Sequence, residues 1–126
     1  PGTVSDKPAN LLDIYPTLAS LAGLEPPEGQ LEGNDLSILM KNPNAAWTDT
    51  TVTTFGYRNH GVRSERYRYI TYEDGTEELY DRAKDKWEWT NLASNSEYAA
   101  IKMKLRKEIP THHEPIGAIE AFFEKK

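Results

Sequence analysis

Residues 51–81 read TVTTFGYRNHGVRSERYRYITYEDGTEELYD, and this stretch decides the fold. β-Branched and aromatic residues dominate it, and turn-forming residues interrupt it at short intervals, which is typical of β-strands. The predicted strands are Thr51–Gly56, Gly61–Ser64, Tyr67–Glu73 and Glu77–Asp81. Residues 73–76, Glu-Asp-Gly-Thr, predict a tight hairpin turn whose glycine adopts a positive φ. Because the connections are short, we expect an antiparallel meander.

Two helical patterns precede this stretch. Apolar residues recur at helical spacing between residues 11 and 22, where Asp13 is a candidate cap and Gly23 a stop signal. We expect a short helix there that buries one face, made of Leu11, Ile14, Tyr15, Leu18, Leu21 and Ala22. A brief helix is predicted at 36–41, capped by Asp35 and closed by Pro43.

A third helical pattern follows the strands, at residues 96–108, and stops at Pro110. Its apolar stripe would cover one face of the sheet, and it consists of Tyr98, Ile101, Leu105 and Ile109. The tail 117–126 carries a further apolar patch, formed by Ile119, Phe122 and Phe123. The predicted fold class is therefore α+β, a small four-stranded antiparallel sheet with a packed helix plus short N-terminal helices. We divide it into an N-terminal helical and loop segment, 1–49, and a sheet-plus-helix subdomain, 50–126.

Composition excludes several classes of function. The 126 residues carry 15 Lys+Arg against 20 Asp+Glu, a formal net charge of −5, and no cysteine. Without cysteine there is no disulfide, thiolate metal site or thiol nucleophile. An acidic chain without basic tracts is a poor nucleic-acid binder, and no apolar run approaches the roughly 20 residues that span a bilayer. The chain opens Pro-Gly-Thr, so we expect a piece of a longer protein.

No motif in the chain supplies an active site by itself, so we predict no catalytic and no metal-binding residue. The run His112-His113-Glu114 lies between two prolines, and consecutive residues point in different directions, which favours a solvated loop over a metal site. Asp81, Asp85 and Glu88 lack calcium-loop spacing and are better interpreted as caps and turn contacts. Neither a Gly-x-Ser-x-Gly elbow nor a phosphate loop is present.

One local concentration of positive charge stands out, at residues 58–68. Its members are Arg58, His60, Arg63, Arg66 and Arg68, with a single acid among them. They could be solvent-facing strand residues that stack on neighbouring tyrosines. Alternatively Asn59, His60 and Arg63, where a loop enters a strand, could line a pocket for an anionic ligand. Both interpretations remain open.

Five sequence blocks, taken in their order, resemble a known family. They are Asp13-Ile14-Tyr15-Pro16-Thr17-Leu18; Leu21-Ala22-Gly23-Leu24; Gly33-Asn34-Asp35-Leu36; Val62-Arg63 leading into Arg66-Tyr67-Arg68-Tyr69-Ile70; and Glu78-Leu79-Tyr80-Asp81 with Asp85, Glu88 and Asn91-Leu92-Ala93. Together they resemble the C-terminal part of a formylglycine-dependent sulfatase, most closely the iduronate-2-sulfatase-like branch. Lys86 departs from the family pattern, since a proline usually follows the aspartate at that point.

This resemblance implies the C-terminal subdomain of an alkaline-phosphatase-like enzyme. It implies that the chemistry lies upstream, on a formylglycine and a divalent cation, usually calcium, neither of which this chain supplies. The partner would be the N-terminal catalytic domain of the same chain, with a sulfated sugar as a candidate ligand of the rim residues. The sequence does not give the compartment; the resemblance is compatible with a periplasmic, secreted or lysosomal parent.

A second class of function stays open beside it. The chain could be a non-catalytic module that binds sulfated glycans through the cationic residues at 58–68. An exposed apolar surface would favour the sulfatase subdomain, because a subdomain without its neighbour leaves an interface bare. A wholly polar surface would favour the module.

Overall fold

The computed structural model describes residues 2–25, 29, 31–47 and 50–113. It divides the chain into two compact units, Pro1–Thr51 and Val52–Lys126. The predicted apolar patch of the tail lies outside the described residues. Within those residues, no helix combines the length and the apolarity needed to cross a membrane.

The sheet has four strands in the order β1-β2-β3-β4, so each strand pairs with its neighbour in sequence. Their bounds are Thr51–Thr54 (β1), His60–Arg63 (β2), Tyr67–Thr71 (β3) and Glu77–Asp81 (β4). The β2–β3 and β3–β4 pairs are antiparallel, with Val62 opposite Tyr69 and Tyr69 opposite Leu79. The predicted meander is confirmed, although β1 and β3 are each two residues shorter than expected.

Both shortenings follow from turn geometry. After β1, the N–H of Phe55 already donates to the carbonyl of Asn59, and the chain turns. After β3, the N–H of Tyr72 donates to the carbonyl of Thr76, which closes the β3–β4 hairpin. Gly75 in that turn has φ +85°, the left-handed conformation that the sequence predicted for it.

The core lies between the sheet and one helix. Val62, Tyr69 and Leu79 are fully buried, and Leu105 joins them at 3% exposure. Leu105 belongs to α3, Ala99–Arg106, which follows a 3₁₀ turn at Ser96–Tyr98. The rest of the predicted stripe, Tyr98, Ile101 and Ile109, packs against this core. The helix therefore covers one sheet face, as expected.

Glu77 ties α3 to the sheet. Its carboxylate accepts from Lys102 Nζ at 2.8 Å and Arg106 Nη1 at 3.1 Å, both on α3, and from the Tyr69 hydroxyl. The bonds from Lys102 and then Tyr69 lower the pKa of Glu77. Burial, followed by the bond to Glu77, raises the pKa of Tyr69. The core tyrosine thus keeps its polar end paired.

The first unit contains α1, Ile14–Leu21, and α2, Ser37–Lys41. The helical region begins with a 3₁₀ turn, Leu11–Asp13, and its cap is Asn10, whose Oδ1 accepts from the N–H of Leu12 at 3.3 Å. Asp13 is the N-cap residue of α1, as predicted, although its side chain makes no cap bond to that helix. Asp13 instead completes a capping box, because its Oδ2 accepts from the N–H of Asn10 at 2.6 Å.

Two side chains of the first block hold the third block in place. Asp13 Oδ1 accepts from the N–H of Asn34 at 2.8 Å, and Thr17 Oγ1 accepts from the N–H of Leu36 at 2.9 Å. Gly33 lies so close that an added Cβ would stand 2.0 Å from the carbonyl oxygen of Leu12. The side chains of the first block therefore bind the backbone of the third.

The predicted buried face of α1 is exposed. Leu11, Leu18 and Leu21 are 82%, 61% and 54% exposed, while the buried residues of this region are Asp13, Pro16 and Thr17. The polar side of the helix is buried because it binds the 34–36 backbone. No described residue buries the leucines. The expectation of a helix was right, and the expectation that its apolar face is buried was wrong for the described residues.

Candidate functional site

The predicted rim residues begin in the turn between β1 and β2. Gly56 and Arg58 both have positive φ, at +62° and +57°, and the Arg58 guanidinium lies 4.9 Å from the centre of the Tyr57 ring. Asn59 Nδ2 donates to the Tyr57 carbonyl at 2.9 Å, and its Oδ1 accepts from the N–H of Glu73 at 3.2 Å. Both ends of the Asn59 side chain therefore brace the turn.

His60 is the buried member of the set, at 3% exposure. Its Nδ1 lies 3.0 Å from Thr54 Oγ1, and its Nε2 lies 3.2 Å from Nδ1 of His113. Burial and then the nearby His113 lower the pKa of His60, so its ring is neutral near pH 7. Only one proton can occupy the space between the two facing nitrogens.

His113 is the residue that sequence reasoning missed. We predicted that it lies in a solvated loop, but it is half-buried, 5.0 Å from His60 between ring centres, and it meets the edge of Tyr57. Glu114 lies outside the described residues. The pairing spans 53 positions of sequence, so no local spacing could have indicated it.

Arg63 is the exposed member, at the end of β2. It lies opposite Arg68 in the β2–β3 register. Arg68 donates to Glu88 Oε2 at 2.8 Å, whereas Arg63 makes no ion pair with any residue in the described ranges. A like charge opposite and no acid at hand leave its guanidinium available to an anion.

The remaining cations of the group are structural. Arg66 binds Asp81 through two parallel bonds of 2.9 and 2.6 Å and lies 5.0 Å from the centre of the Tyr67 ring. Asp81 is 1% exposed. The bond from Arg66 lowers the pKa of Asp81 and raises that of Arg66. Arg66 is exposed and stacks on a tyrosine, as the first interpretation expected, but it lies in the turn before β3 and not on a strand.

The acidic residues after β4 also hold the backbone together. Asp81 Oδ1 accepts from the N–H of Ala83 at 3.3 Å, and Asp85 Oδ2 accepts from that of Thr90 at 2.8 Å. Asn91 Oδ1 accepts from the N–H of Leu79 at 3.0 Å. In the part of the chain that the structure describes, no three acidic or histidine side chains form a group that could hold a metal ion. A calcium ion does not fit these residues.

The described residues thus offer recognition rather than covalent chemistry. Among the three rim residues, Arg63 is an exposed cation without an ion pair to any described residue, Asn59 braces the turn, and His60 is a neutral buried histidine in contact with His113. This arrangement can bind and orient an anion, but none of the rim side chains is an activated nucleophile.

Comparison with known proteins places the chain in a family. Residues 1–114 match the family model described as N-sulphoglucosamine sulphohydrolase, C-terminal. A sulfatase of Formosa agariphila is 42% identical over 110 residues, which are 86% of this chain and 21% of that protein. A delta 4,5-hexuronate-2-O-sulfatase of Bacteroides thetaiotaomicron is 32% identical over 99 residues, 71% of this chain and 20% of that protein.

A solved structure agrees with the sequence matches. It shows a protein in complex with its substrate D-glucosamine-2-N,6-O-disulfate, and it is 26% identical with a TM-score of 0.63 over 75% of this chain and 22% of its own. The chain spans about a fifth of the length of the relatives it matches. Because the family model covers nine-tenths of the sequence, the chain belongs to the sulfatases, within the family of their C-terminal domain.

Proposed function

We propose that this chain is the C-terminal part of an enzyme that hydrolyses sulfate esters of sulfated sugars. The observation that carries the proposal is the family match over residues 1–114. The described side chains supply recognition groups, so the nucleophile, a formylglycine, and its calcium ion would belong to the catalytic domain of the longer protein. The hexuronate-2-O-sulfatase relative supports a substrate of the uronate-2-sulfate type, as in the iduronate-2-sulfatase-like branch.

The exposed face of α1 supports this proposal over a free-standing glycan-binding module. Leu11, Leu18 and Leu21 together with Ile14 and Tyr15 are each more than half exposed, and a stable soluble module rarely shows such a patch. The catalytic domain is the occupant that we propose for it, since the relative from Formosa agariphila is about four times as long as this chain.

Within the proposed enzyme, Arg63, His60 and Asn59 serve the substrate rim in different ways. Arg63 contacts an anionic group of the sugar directly, because its planar guanidinium is free for a bidentate bond. His60 and Asn59 do not contact the sugar and act indirectly, because their polar atoms already bind other groups of the chain: His113, Thr54, Tyr57 and Glu73. They would keep the turn in the shape that the substrate meets.

An Arg63→Ala variant of the intact enzyme tests the proposal. On a sulfated sugar that carries a further carboxylate or sulfate, we expect kcat/KM to fall by roughly one to three orders of magnitude. On a small neutral aryl sulfate, kcat/KM should hardly change. Arg63→Lys is the matched variant and should recover part of the loss, because it restores the charge without the fork geometry.

Two results would contradict the proposal at different levels. Equal losses on both substrates, with a lowered Tm, would mean that Arg63 only supports the strand. Absence of sulfate release from any sulfate ester by the intact wild-type protein would contradict the sulfatase function itself.

A further inference from the structure

The turn after β4 carries two tryptophans that stand in solvent. Trp87 and Trp89 are 68% and 84% exposed, whereas Trp47, the third tryptophan, is half-buried and donates from Nε1 to the Pro8 carbonyl at 3.0 Å. Burial of the large apolar indole ring is strongly favourable. Two exposed tryptophans separated by one residue therefore indicate an interaction surface. Among the described residues, none buries more than a minor part of either side chain.

The backbone between the two indoles is held in a strained conformation. Glu88 has φ +57°, in the left-handed region that a non-glycine residue rarely adopts. Its carboxylate is bound by Arg68 at 2.8 Å and by Arg82 at 3.3 Å. Asp85 adds a second brace through its bond to the N–H of Thr90. A strained turn fixed by ion pairs presents its neighbouring side chains in a defined position, and such strain is concentrated at functional sites.

Residues 84–89 and the two arginines bound to Glu88 carry four positive charges against two negative ones, although the whole chain is acidic. The Glu88 carboxylate is compensated by two arginines, and the Asp85 carboxylate binds a backbone N–H. Lys84 and Lys86 are exposed, and Lys86 Nζ lies 5.4 Å from the centre of the Trp87 ring. A ligand that suits this surface combines flat apolar faces with negative charges.

We propose that Trp87 and Trp89, with Lys84 and Lys86, form a binding surface for the sugar rings of an anionic polysaccharide. The axial C–H face of a pyranose stacks on an indole, and its sulfate or carboxylate groups pair with the lysines. The inference rests on the proposed function and extends it from a sugar at the rim to a longer chain. In this proposal these residues bind the polysaccharide at a place separate from the site where a sulfate ester is cleaved.

The alternative occupant, the rest of the protein, fits this surface less well. Burying it under a protein domain would remove water from the ammonium groups of Lys84 and Lys86, which is unfavourable without acidic partners. The exposed face of α1 has no such charges among its leucines and suits a protein neighbour. The exposed face of α1 is apolar, whereas the surface at Trp87 and Trp89 is apolar and cationic. We therefore expect a protein domain on the first and an anionic polysaccharide on the second.

Affinity electrophoresis of the intact protein tests the proposal. Gels contain carrageenan or heparan sulfate as anionic polysaccharides and agarose as an uncharged control. We expect retardation in at least one anionic gel, a loss of about tenfold in apparent affinity for the double variant W87A/W89A, and a smaller loss for K84Q/K86Q. W89F should retain most of the binding. Met103→Ala, at 63% exposure on α3, is the matched control and should bind as wild type.

Three results would overturn the proposal. They are no retardation of the wild type in either anionic gel, equal retardation of wild type and W87A/W89A, and protection of both tryptophans from acrylamide quenching in the intact protein, which would mean that the rest of the chain covers them. Hydrolysis of a small aryl sulfate is measured in parallel, and W87A/W89A should leave its kcat/KM unchanged. If wild type shows no such hydrolysis, the proposed function fails, whatever the gels show.

Discussion

Apolar residues are buried in the core of the sheet unit of the chain and exposed on α1 of the first unit. In the sheet unit, Val62, Tyr69 and Leu79 are completely buried under α3. In the first unit, Leu18 and Leu21 of α1 remain more than half exposed. Both patterns predicted the correct type of element. Hydrophobic periodicity therefore shows that a face requires cover, but it does not show which part of a protein supplies the cover.

The largest effect is expected for Leu79→Ala, which tests the buried core of the sheet unit. Leu79, on β4, is fully buried in the core cluster with Val62, Tyr69 and Leu105. We therefore expect its truncation to lower the free energy of unfolding by about 2–5 kcal/mol. Urea titration followed by circular dichroism measures the change. Leu79→Met conserves volume and should cost less than about 1.5 kcal/mol. If Leu79→Ala costs no more than Leu79→Met, the sheet has no packed core at this position.

The second test concerns the charged edge of the sheet unit. Arg66→Ala leaves the Asp81 carboxylate buried without its main partner. We therefore expect it to lower the free energy of unfolding by clearly more than the control below, although the half-exposed Arg66 limits the loss. Arg68→Ala is the matched control. Glu88 keeps Arg82 and is less buried, so that loss should be about 0.5 kcal/mol. Losses of equal size in urea titrations would contradict a special role for Asp81.

Most of the fold was accessible from sequence because it depends on local signals. The number and approximate positions of the strands followed from β-branched and aromatic residues, and the β3–β4 hairpin followed from its Asp-Gly turn. The prediction of Asp13 as a cap was right in position, but it missed the 3₁₀ turn that Asn10 caps. Asn10 and Asp13 form one reciprocal box, and composition alone does not show at which of the two polar residues the helical region begins.

The candidate site was less accessible because its contacts are distant in sequence. Exposure of Arg63 follows from its strand position, and sequence reasoning selected it. His60 was selected because a loop enters a strand there within a cationic stretch, although its ring is buried against His113. No periodic pattern links positions 53 residues apart. Asn59 was selected as a rim contact, whereas its side chain braces the turn.

The histidine pair gives the sheet unit a pH dependence. Because the pKa of His60 is lowered in the folded state, the unfolded chain binds more protons. Stability should be complete above about pH 6.5 and should decline as pH falls from there towards the lowered pKa, by at most about 1.4 kcal/mol per pH unit. Urea titrations between pH 5 and 8 measure this slope. In His60→Gln the slope should be smaller, and His113→Ala should reduce it in part; equal slopes in all three proteins would contradict the assignment.

The smallest expected effect is that of Leu18→Ala in the 126-residue chain. Leu18 is 61% exposed there, so its truncation removes little buried surface and should change the free energy of unfolding by less than about 0.5 kcal/mol. In the intact protein the same substitution should cost about 2–5 kcal/mol, because we propose that the catalytic domain covers this face. Leu105→Ala, buried at 3% exposure under the sheet, should cost about the same in both proteins. If Leu18→Ala changes the free energy of unfolding of the intact protein equally little, the apolar face of α1 is exposed to water there too. The contrast between the two units would then be a property of this chain, and the proposal that the catalytic domain covers α1 would be wrong.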